Sequence, residues 1–272
     1  MGDVTISPLV LIGVGSSVAC SGLFYHLYRE KKRELVKLKE IPVFNPDEQL
    51  VKILKQSAQK RLHYVAVEGV VQADGEPLAS KYVPKCFGVI QTLAEEEHWK
   101  YWNSLTRTWS SRKNNKRETN NSVPFSLVSP GAYMTDVRVK VKSPMEASGG
   151  FLERVHHKVR HTKGSLVNLL LQGLASETPV SLEESEEMLR VGSMLTGFGE
   201  VVLEGETVMR LQAPLDGRMY ALVPSDYRSF MDRHESTASM WKMLTVASAA
   251  TAATLLAGIF SNMFGGQDRR SK

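Results

Sequence analysis

Two long stretches without ionised side chains constrain this chain more than any other feature. Residues 6–28 form a run of 23 with no Asp, Glu, Lys or Arg, and residues 243–264 form a second run of 22. At about 1.5 Å of rise per residue, either run crosses a hydrocarbon core of roughly 30 Å as one helix. Basic residues follow the first run at once, and Trp241 and Lys242 precede the second. The sequence therefore predicts two transmembrane helices.

Each run has an alternative interpretation. The first resembles a cleaved signal peptide in position, but no basic segment precedes it, and it exceeds the usual apolar stretch of roughly 7 to 15 residues. The second is rich in Ala, Thr and Ser, so a buried helix of a soluble protein is the alternative there.

Small residues recur at four-residue spacing in both runs. Gly15 and Ala19 stand in the first, and Ala249, Ala253 and Ala257 in the second. Such spacing lets helix backbones approach closely, which favours pairing of the two spans or homo-oligomerisation through them.

Two spans divide the chain into three parts. Residues 1–28 are an N-terminal segment with the first transmembrane helix, residues 29–240 a domain outside the lipid, and residues 241–272 the second helix with a short basic tail. Both termini then lie on one side of the membrane. The cations of residues 29–33 and those of the tail support opposite orientations, so charge counting alone does not decide the topology.

The basic charge of the chain sits at the membrane borders. The formal net charge is +5: Asp3 contributes −1, residues 29–40 carry +3, residues 41–267 carry only +1 and residues 268–272 carry +2. Basic flanks of this kind fit border cations better than a nucleic-acid or anionic-lipid binding surface. We therefore expect the lipid bilayer as a partner and no nucleic acid.

The middle of the chain is predicted to be rich in short strands. Between them the sequence favours a charged helix after the first span, a short helix with Leu50, Ile53 and Leu54 as its apolar stripe, and an acidic helix over residues 182–189. Residues 110–122 are polar throughout and are expected to form a solvated loop, and residues 144–173 to be helical or irregular. The clearest candidate strands are residues 64–71, 86–93, 135–141, 199–203, 208–211 and 219–223.

Strands at this spacing without a βαβ rhythm predict an α+β fold. We expect two transmembrane helices flanking a mostly antiparallel β-rich domain with short helices and barrel-like pieces.

The histidines provide two candidate sites. His157 and His161 stand four residues apart with His156 adjacent, but the surrounding Lys158 and Arg160 favour a solvated basic turn over a zinc site. His98 follows Glu95, Glu96 and Glu97 and precedes Trp99 and Trp102, and this mixture could supply a general base beside an aromatic pocket. The simpler interpretation of that segment is an edge strand with an acidic outer face and Trp packed inward.

Cysteine and glycine chemistry adds little. The chain has two cysteines, which excludes a disulfide-rich scaffold and a multi-thiolate zinc module. Cys20 lies in the first span, and Cys86 fits a small buried hydrophobe better than a reactive thiol. Gly13 and Gly15 lack the preceding strand and third glycine of a dinucleotide site, and the glycine-rich residues 191–200 are predicted to form a structural turn. We assign no catalytic, cofactor-binding or metal-binding residue.

Several segments together resemble a known family. They are KCFGVIQTL at 85–93, NNSVPFSLV at 120–128, EEMLRVGSMLTGFGE at 186–200 and VMRLQAP at 208–214, lying between the two spans. These segments are similar to the GIDE, or BAM (beside-a-membrane), family of mitochondrial outer-membrane RING-type ubiquitin ligases.

The resemblance implies a multi-pass protein of the outer mitochondrial membrane with its central domain in the intermembrane space. Its relatives act in ubiquitin and SUMO conjugation that controls mitochondrial dynamics, mitophagy and innate signalling. They carry a RING domain, which binds zinc through spaced Cys/His pairs and recruits a ubiquitin-conjugating enzyme.

This chain contains no CxxC pair, so no ligase residue and no zinc ligand is transferred to it. We expect a RING-less form, or a fragment of a ligase, that binds or regulates, and pairing through its spans with itself or with full-length ligase is one route for this. A ubiquitin-conjugating enzyme is expected as a partner only where a RING is present, so enzymatic activity stays uncertain. The alternative is a membrane-anchored enzyme that uses His98 and the neighbouring Glu residues as acid/base groups, which requires a polar partner within hydrogen-bond reach of His98.

Overall fold

A computed structural model describes residues 8–131, 137–161 and 177–264. These described residues form three α-helices, α1 (Pro8–Lys39), α2 (Glu48–Gln56) and α3 (Tyr227–Phe264). Twelve strands are described between Val43 and Val223: β1 (Val43–Phe44), β2 (Arg61–Ala73), β3 (Leu78–Ala79), β4 (Phe87–Asn103), β5 (Thr108–Ser122), β6 (Phe125–Val128), β7 (Arg138–Val141), β8 (Glu153–His161), β9 (Glu177–Arg190), β10 (Met194–Leu203), β11 (Val208–Gln212) and β12 (Ala221–Val223).

The chain divides into two compact units. One contains residues 1–41 and 228–272, and the other residues 42–227. The predicted α+β class, with two long apolar helices flanking a β-rich domain, is confirmed. The three-part boundaries given above stay a prediction.

A closed five-stranded barrel forms the centre of the second unit. Its strands follow the order β2-β6-β7-β11-β10, and β10 pairs again with β2 to close it. The β7–β11 pair is parallel, while the other four pairs are antiparallel. This is the Greek-key arrangement of OB-type barrels, and it confirms the barrel-like pieces expected from the strand spacing. β1 and β12 extend the barrel sheet at its borders.

Alternating apolar residues fill the barrel. β7 and β11 bury every second side chain, as the period of a half-exposed strand requires. The short helix α2 adds Leu50 and Leu54, both fully buried, whereas Ile53 of the predicted stripe is 38% exposed. Asp47 caps α2 by accepting a 2.9 Å hydrogen bond from the Leu50 backbone N–H.

A second sheet consists of five strands that lie between β2 and β10 in the sequence. β4 is its central strand, with β3 and β5 along one edge and β9 along the other, and β8 pairs with the outer edge of β9. All these pairs are antiparallel. Val89, Ile90 and Leu189 at one end of this sheet belong to the same core as the barrel.

Three sequence-based expectations for this sheet are wrong. Residues 110–122 are strand β5 rather than a loop, because its backbone pairs with β4 from Ile90 to Asn103 although nearly every side chain is exposed. Residues 182–189 belong to strand β9 rather than a helix, since pairing on both edges outweighs the helix propensity of Glu, Leu and Met. Residues 153–161 are strand β8, and residues 162–173 lie outside the described part.

The first unit holds the two long helices. The most apolar window of α1 is 0% buried and that of α3 is 6% buried, so neither is the core helix of a soluble protein. They run antiparallel, with the Phe24 and Trp241 rings 5.8 Å apart and Lys39 Nζ 2.5 Å from Glu235 Oε1. The small-residue stripes do not form this contact, because Gly15, Ala19, Ala249, Ala253 and Ala257 are all exposed.

Candidate functional site

Five titratable side chains meet on one face of the second sheet. Glu96 and His98 come from β4, Lys113 from β5, His157 from β8 and Glu183 from β9. The strands lie side by side, and the alternation of each strand places these residues on a common face. We refer to the five residues as the charged cluster.

Glu183 is the centre of the charged cluster. His157 Nε2 lies 2.9 Å from its Oε1, and His98 Nε2 lies 2.7 Å from its Oε2. The hydrogen bonds from His157 and from His98 lower the pKa of Glu183 to about 2. The carboxylate is therefore ionised at neutral pH and can only accept, so both imidazoles donate through Nε2.

Lys113 supplies the cation of the charged cluster. Its Nζ lies 2.9 Å from Glu96 Oε2 and 3.7 Å from Glu183 Oε2. The hydrogen bond to Glu96 raises the pKa of Lys113 above its usual value. Both carboxylates thus have an ammonium or an imidazole N–H of this chain as a partner.

The charged cluster has the donors of a metal site but not its electrostatics. Ligating atoms of Glu96, His98 and Glu183 lie within 4.8 Å of one another. A divalent ion at this point would have to displace the Lys113 ammonium and take the Nε2 proton of His98. The arrangement is an ion-pair network, and the expectation of no metal-binding residue stays a prediction.

His98 has the polar partner that the enzyme alternative requires, since Glu183 lies within hydrogen-bond reach. The contact also occupies its Nε2 as a donor, so this nitrogen is not a free base. Among the described contacts, none joins His98 to a Ser, Thr or Cys side chain. The edge-strand interpretation of this segment is wrong, because β4 is paired on both sides, and Trp102 is 44% exposed rather than packed inward.

A cavity of about 300 Å³ adjoins the charged cluster. Both carboxylates and cations line this cavity. Among them, a guanidinium nitrogen of Arg154 lies 3.2 Å from Glu187 Oε1. An interior lined mainly by charged and polar side chains offers little apolar surface to a small organic ligand. The lining residues are Thr92, Ala94, Glu96, Lys113, Lys116, Glu118, Arg154, Glu183, Ser185 and Glu187.

Comparison with known proteins places the chain in a family. The GIDE family, described as E3 ubiquitin ligase, matches residues 94–258, a span that includes the whole charged cluster. The chain belongs to the GIDE family. It is 38% identical over 248 residues to the zebrafish (Danio rerio) protein named mitochondrial ubiquitin ligase activator of nfkb 1-A, covering 91% of this chain and 72% of that relative. No solved structure matches the chain.

Two further GIDE relatives show the same coverage. The Homo sapiens mitochondrial ubiquitin ligase activator of NFKB 1 is 36% identical over 255 residues, which is 93% of this chain and 71% of the relative. The Drosophila melanogaster mitochondrial E3 ubiquitin protein ligase 1 is 25% identical over 253 residues, 93% of this chain and 72% of the relative.

The histidines that were considered as zinc ligands lie on strand β8 of the GIDE domain. His157 and His161 are four residues apart on this extended strand, so their Cα atoms are about 13 Å apart. His156 points to the other face, where its ring stacks on Tyr82 at 4.3 Å. The basic turn that we expected is a strand, and its three imidazoles do not converge on one ion.

The cysteines of this GIDE chain do not fit the zinc sites of a RING. Cys20 and Cys86 are both free, they lie in different units, and no CxxC pair occurs in the chain. Cys86 is half-buried rather than buried, in a groove of about 830 Å³ together with Phe87 and Val191. We derive no step of ubiquitin transfer through zinc.

The glycine-rich residues 191–200 are only in part a turn. Val191 and Gly192 turn, with φ +85° at Gly192, but Gly197 and Gly199 lie inside barrel strand β10. A Cβ at Gly199 would be 2.6 Å from the Gln212 backbone oxygen. These glycines allow neighbouring strands and side chains of the GIDE barrel to approach closely.

Sequence reasoning missed the residues that organise this site. Glu183 was assigned to a helix and Lys113 to a loop. Buried Glu186 fixes the segment after β3, accepting from Ser80 Oγ at 2.7 Å and from the Lys81 backbone N–H at 2.9 Å. The signal that could have found Glu183 is its recurrence with Ser185 and Glu187 at every second position, which a strand places on one face.

Proposed function

We propose that this chain is a two-span protein of the outer mitochondrial membrane that acts in ubiquitin ligation through binding and regulation. Residues 42–227 would lie in the intermembrane space and both termini in the cytosol. The processes served would be those implied for its relatives: ubiquitin and SUMO conjugation in mitochondrial dynamics, mitophagy and innate signalling.

One observation carries the proposal. The alignment with relatives named as mitochondrial ubiquitin ligase activators extends over 91–93% of this chain, and the residues left out are too few to contain either long helix whole. Both helices expose their apolar surface, as lipid-facing helices do. The similarity thus extends beyond the β-rich domain into both long helices, which supports a shared arrangement of membrane anchors.

A binding role fits the chemistry of the residues. RING-type transfer requires paired zinc ligands, and these 272 residues include two unpaired cysteines. The carboxylates of the charged cluster already have partners within the chain, and no nucleophile contacts His98 among the described residues. The spans and the domain surface are then the parts that meet a partner, such as a second copy or a full-length ligase.

The topology is tested in isolated mitochondria. We expect the chain to stay in the pellet after carbonate extraction, because a spanning helix resists alkaline washing. With the outer membrane intact, protease should remove epitopes at both termini and spare residues 42–227. Swelling that ruptures the outer membrane should expose that domain. Release by carbonate, or digestion of the domain while the outer membrane is intact, contradicts the proposal.

The binding role is tested by reconstituted ubiquitin transfer. The purified chain with activating enzyme, conjugating enzyme and ubiquitin should form no ubiquitin chains. Added to a full-length relative in the same vesicles, it should co-precipitate with that relative and change its rate. Transfer by this chain alone at the rate of the relative would overturn the proposal.

A further inference from the structure

The β4–β5 hairpin ends in large apolar side chains exposed to water. Leu105 is 94% exposed, Trp109 52% and Trp102 44%. We refer to these three residues as the apolar tip. The two indole rings contact each other edge to face, with centroids 5.6 Å apart, so together with Leu105 they form one continuous patch.

The turn that carries Leu105 is held in shape. Asn103 Oδ1 accepts hydrogen bonds from the backbone N–H groups of Leu105 at 3.0 Å and Thr106 at 3.4 Å. Thr106 and Thr108 join their hydroxyls at 2.8 Å across the turn. An Asx turn of this kind fixes the loop and leaves Leu105 projecting.

Within the hairpin end itself the charged residues are all basic, while Glu177 of the neighbouring strand β9 is paired with Tyr101 at its base. Residues 99–112 contain Lys100, Arg107 and Arg112 and no Asp or Glu. The Arg112 guanidinium lies over the Tyr101 ring at 5.7 Å, which leaves an aromatic and cationic collar below the tip. Trp with Lys or Arg around an apolar side chain is the combination that binds the interface of an anionic bilayer.

We propose that the apolar tip inserts into the interfacial layer of an anionic lipid bilayer. The inference rests on the two-span topology of the proposed function, because residues 42–227 are joined at both ends to membrane helices and so stay close to a bilayer. Trp102, Leu105 and Trp109 enter the headgroup and acyl boundary, and Lys100 and Arg107 pair with lipid phosphates. The hairpin is then a third membrane contact of the chain, made by a β-turn.

The test uses the full chain in vesicles with one label at a time. In a Cys20→Ser, Cys86→Ser background, Leu105→Cys carries an environment-sensitive fluorophore. Leu215→Cys is the matched control, since Leu215 is 81% exposed on a turn of the same unit. Vesicles are phosphatidylcholine alone, or phosphatidylcholine with anionic phosphatidylglycerol, each with or without spin-labelled lipid.

We expect the label at position 105 to shift to the blue, and spin-labelled lipid to quench it by about threefold more than at position 215, because insertion brings the probe to the acyl region. Anionic vesicles should strengthen both effects. Changing Lys100 and Arg107 together to Gln should remove the dependence on anionic lipid and leave the β-sheet circular dichroism signal unchanged.

Three outcomes overturn the inference. The first is quenching of the label at 105 by aqueous iodide as strongly as the label at 215. The second is equal quenching of both labels by spin-labelled lipid. The third is a spectral shift at 105 that depends on protein concentration and not on lipid, which would indicate contact with a second copy. Carbonate extraction of the same vesicles separates this failure from a failure of the topology. If the chain stays in the pellet while the label at 105 is exposed to water, insertion of the apolar tip is refuted and the two-span topology is not.

Discussion

Glu183 concentrates more contacts than any other member of the charged cluster, and its pKa of about 2 makes it testable. Glu183→Gln keeps the shape of the side chain but removes the negative charge that accepts hydrogen bonds from two imidazoles. We expect the free energy of unfolding at pH 7 to fall by about 1 kcal/mol, since the site is partly exposed. Urea unfolding in detergent micelles, followed by circular dichroism, measures the change.

The pH dependence of that loss has a defined sign. A carboxylate whose pKa is lowered by folding stabilises the folded state at every pH above its ordinary pKa of 4.5. This contribution is lost as the pH falls towards the folded-state pKa of about 2. The difference in free energy of unfolding between the parent chain and Glu183→Gln should therefore become smaller between pH 4.5 and about pH 2. Glu187→Gln is the matched control on the same strand, because its carboxylate pairs with the exposed side chain of Arg154 and contacts neither histidine of the charged cluster among the described residues. A difference that grows on acidification contradicts the assignment.

At the scale of elements, β10 depends on two glycines for its place in the barrel. A Cβ at Gly199 would lie 2.6 Å from the Gln212 backbone oxygen, whereas at Gly197 it would lie 2.4 Å from Leu211 Cδ2, the end of a flexible side chain. Gly199→Ala should therefore destabilise the domain by about 2 to 3 kcal/mol and Gly197→Ala by about 1 to 2 kcal/mol. Thermal unfolding of both variants measures this order.

Gly205→Ala is the control for the two barrel glycines. No atom lies within 4 Å of the position where its Cβ would be built, so the change should be within about 0.5 kcal/mol of neutral. Equal losses at all three glycines would indicate a general effect of alanine on strand conformation rather than close approach between neighbours.

The same elements show what sequence patterns can and cannot predict. Strands β2, β7 and β11 were predictable because burial on one face leaves an alternation in the sequence. Strand β5 shows no such alternation in the sequence, because it is stabilised by backbone pairing with β4 while its side chains face solvent. Strand β9 carries Glu on both faces, and the partners that make this tolerable come from other strands.

At the scale of the whole molecule, the candidate site is assembled from distant parts of the chain. His98 could be singled out from its neighbours, but its partner Glu183 is 85 positions away. Which residues face each other depends on the register of four long strands, and shifting the register by one residue reverses every face. The residue types were visible in the sequence, whereas their convergence required the fold.

The pairing of the two membrane helices gives the last prediction. Contacts of Phe24 with Trp241 and of Ser21 with Thr245 place these faces together, whereas Ala19 and Ala249 face outward. In a Cys20→Ser, Cys86→Ser background, Phe24→Cys with Trp241→Cys should be joined within one chain by a short bismaleimide. After trypsin digestion, the two helical fragments should migrate together on a denaturing gel.

The pair Ala19→Cys with Ala249→Cys is the control for that crosslink. Because both positions face away from the helix pair, we expect no link within one chain. A product of twice the chain mass would instead support homo-oligomerisation through the small-residue stripes, since such stripes let helices of two copies approach closely. Linking of 19 to 249 within one chain, without linking of 24 to 241, would show that the helices pair through the opposite faces.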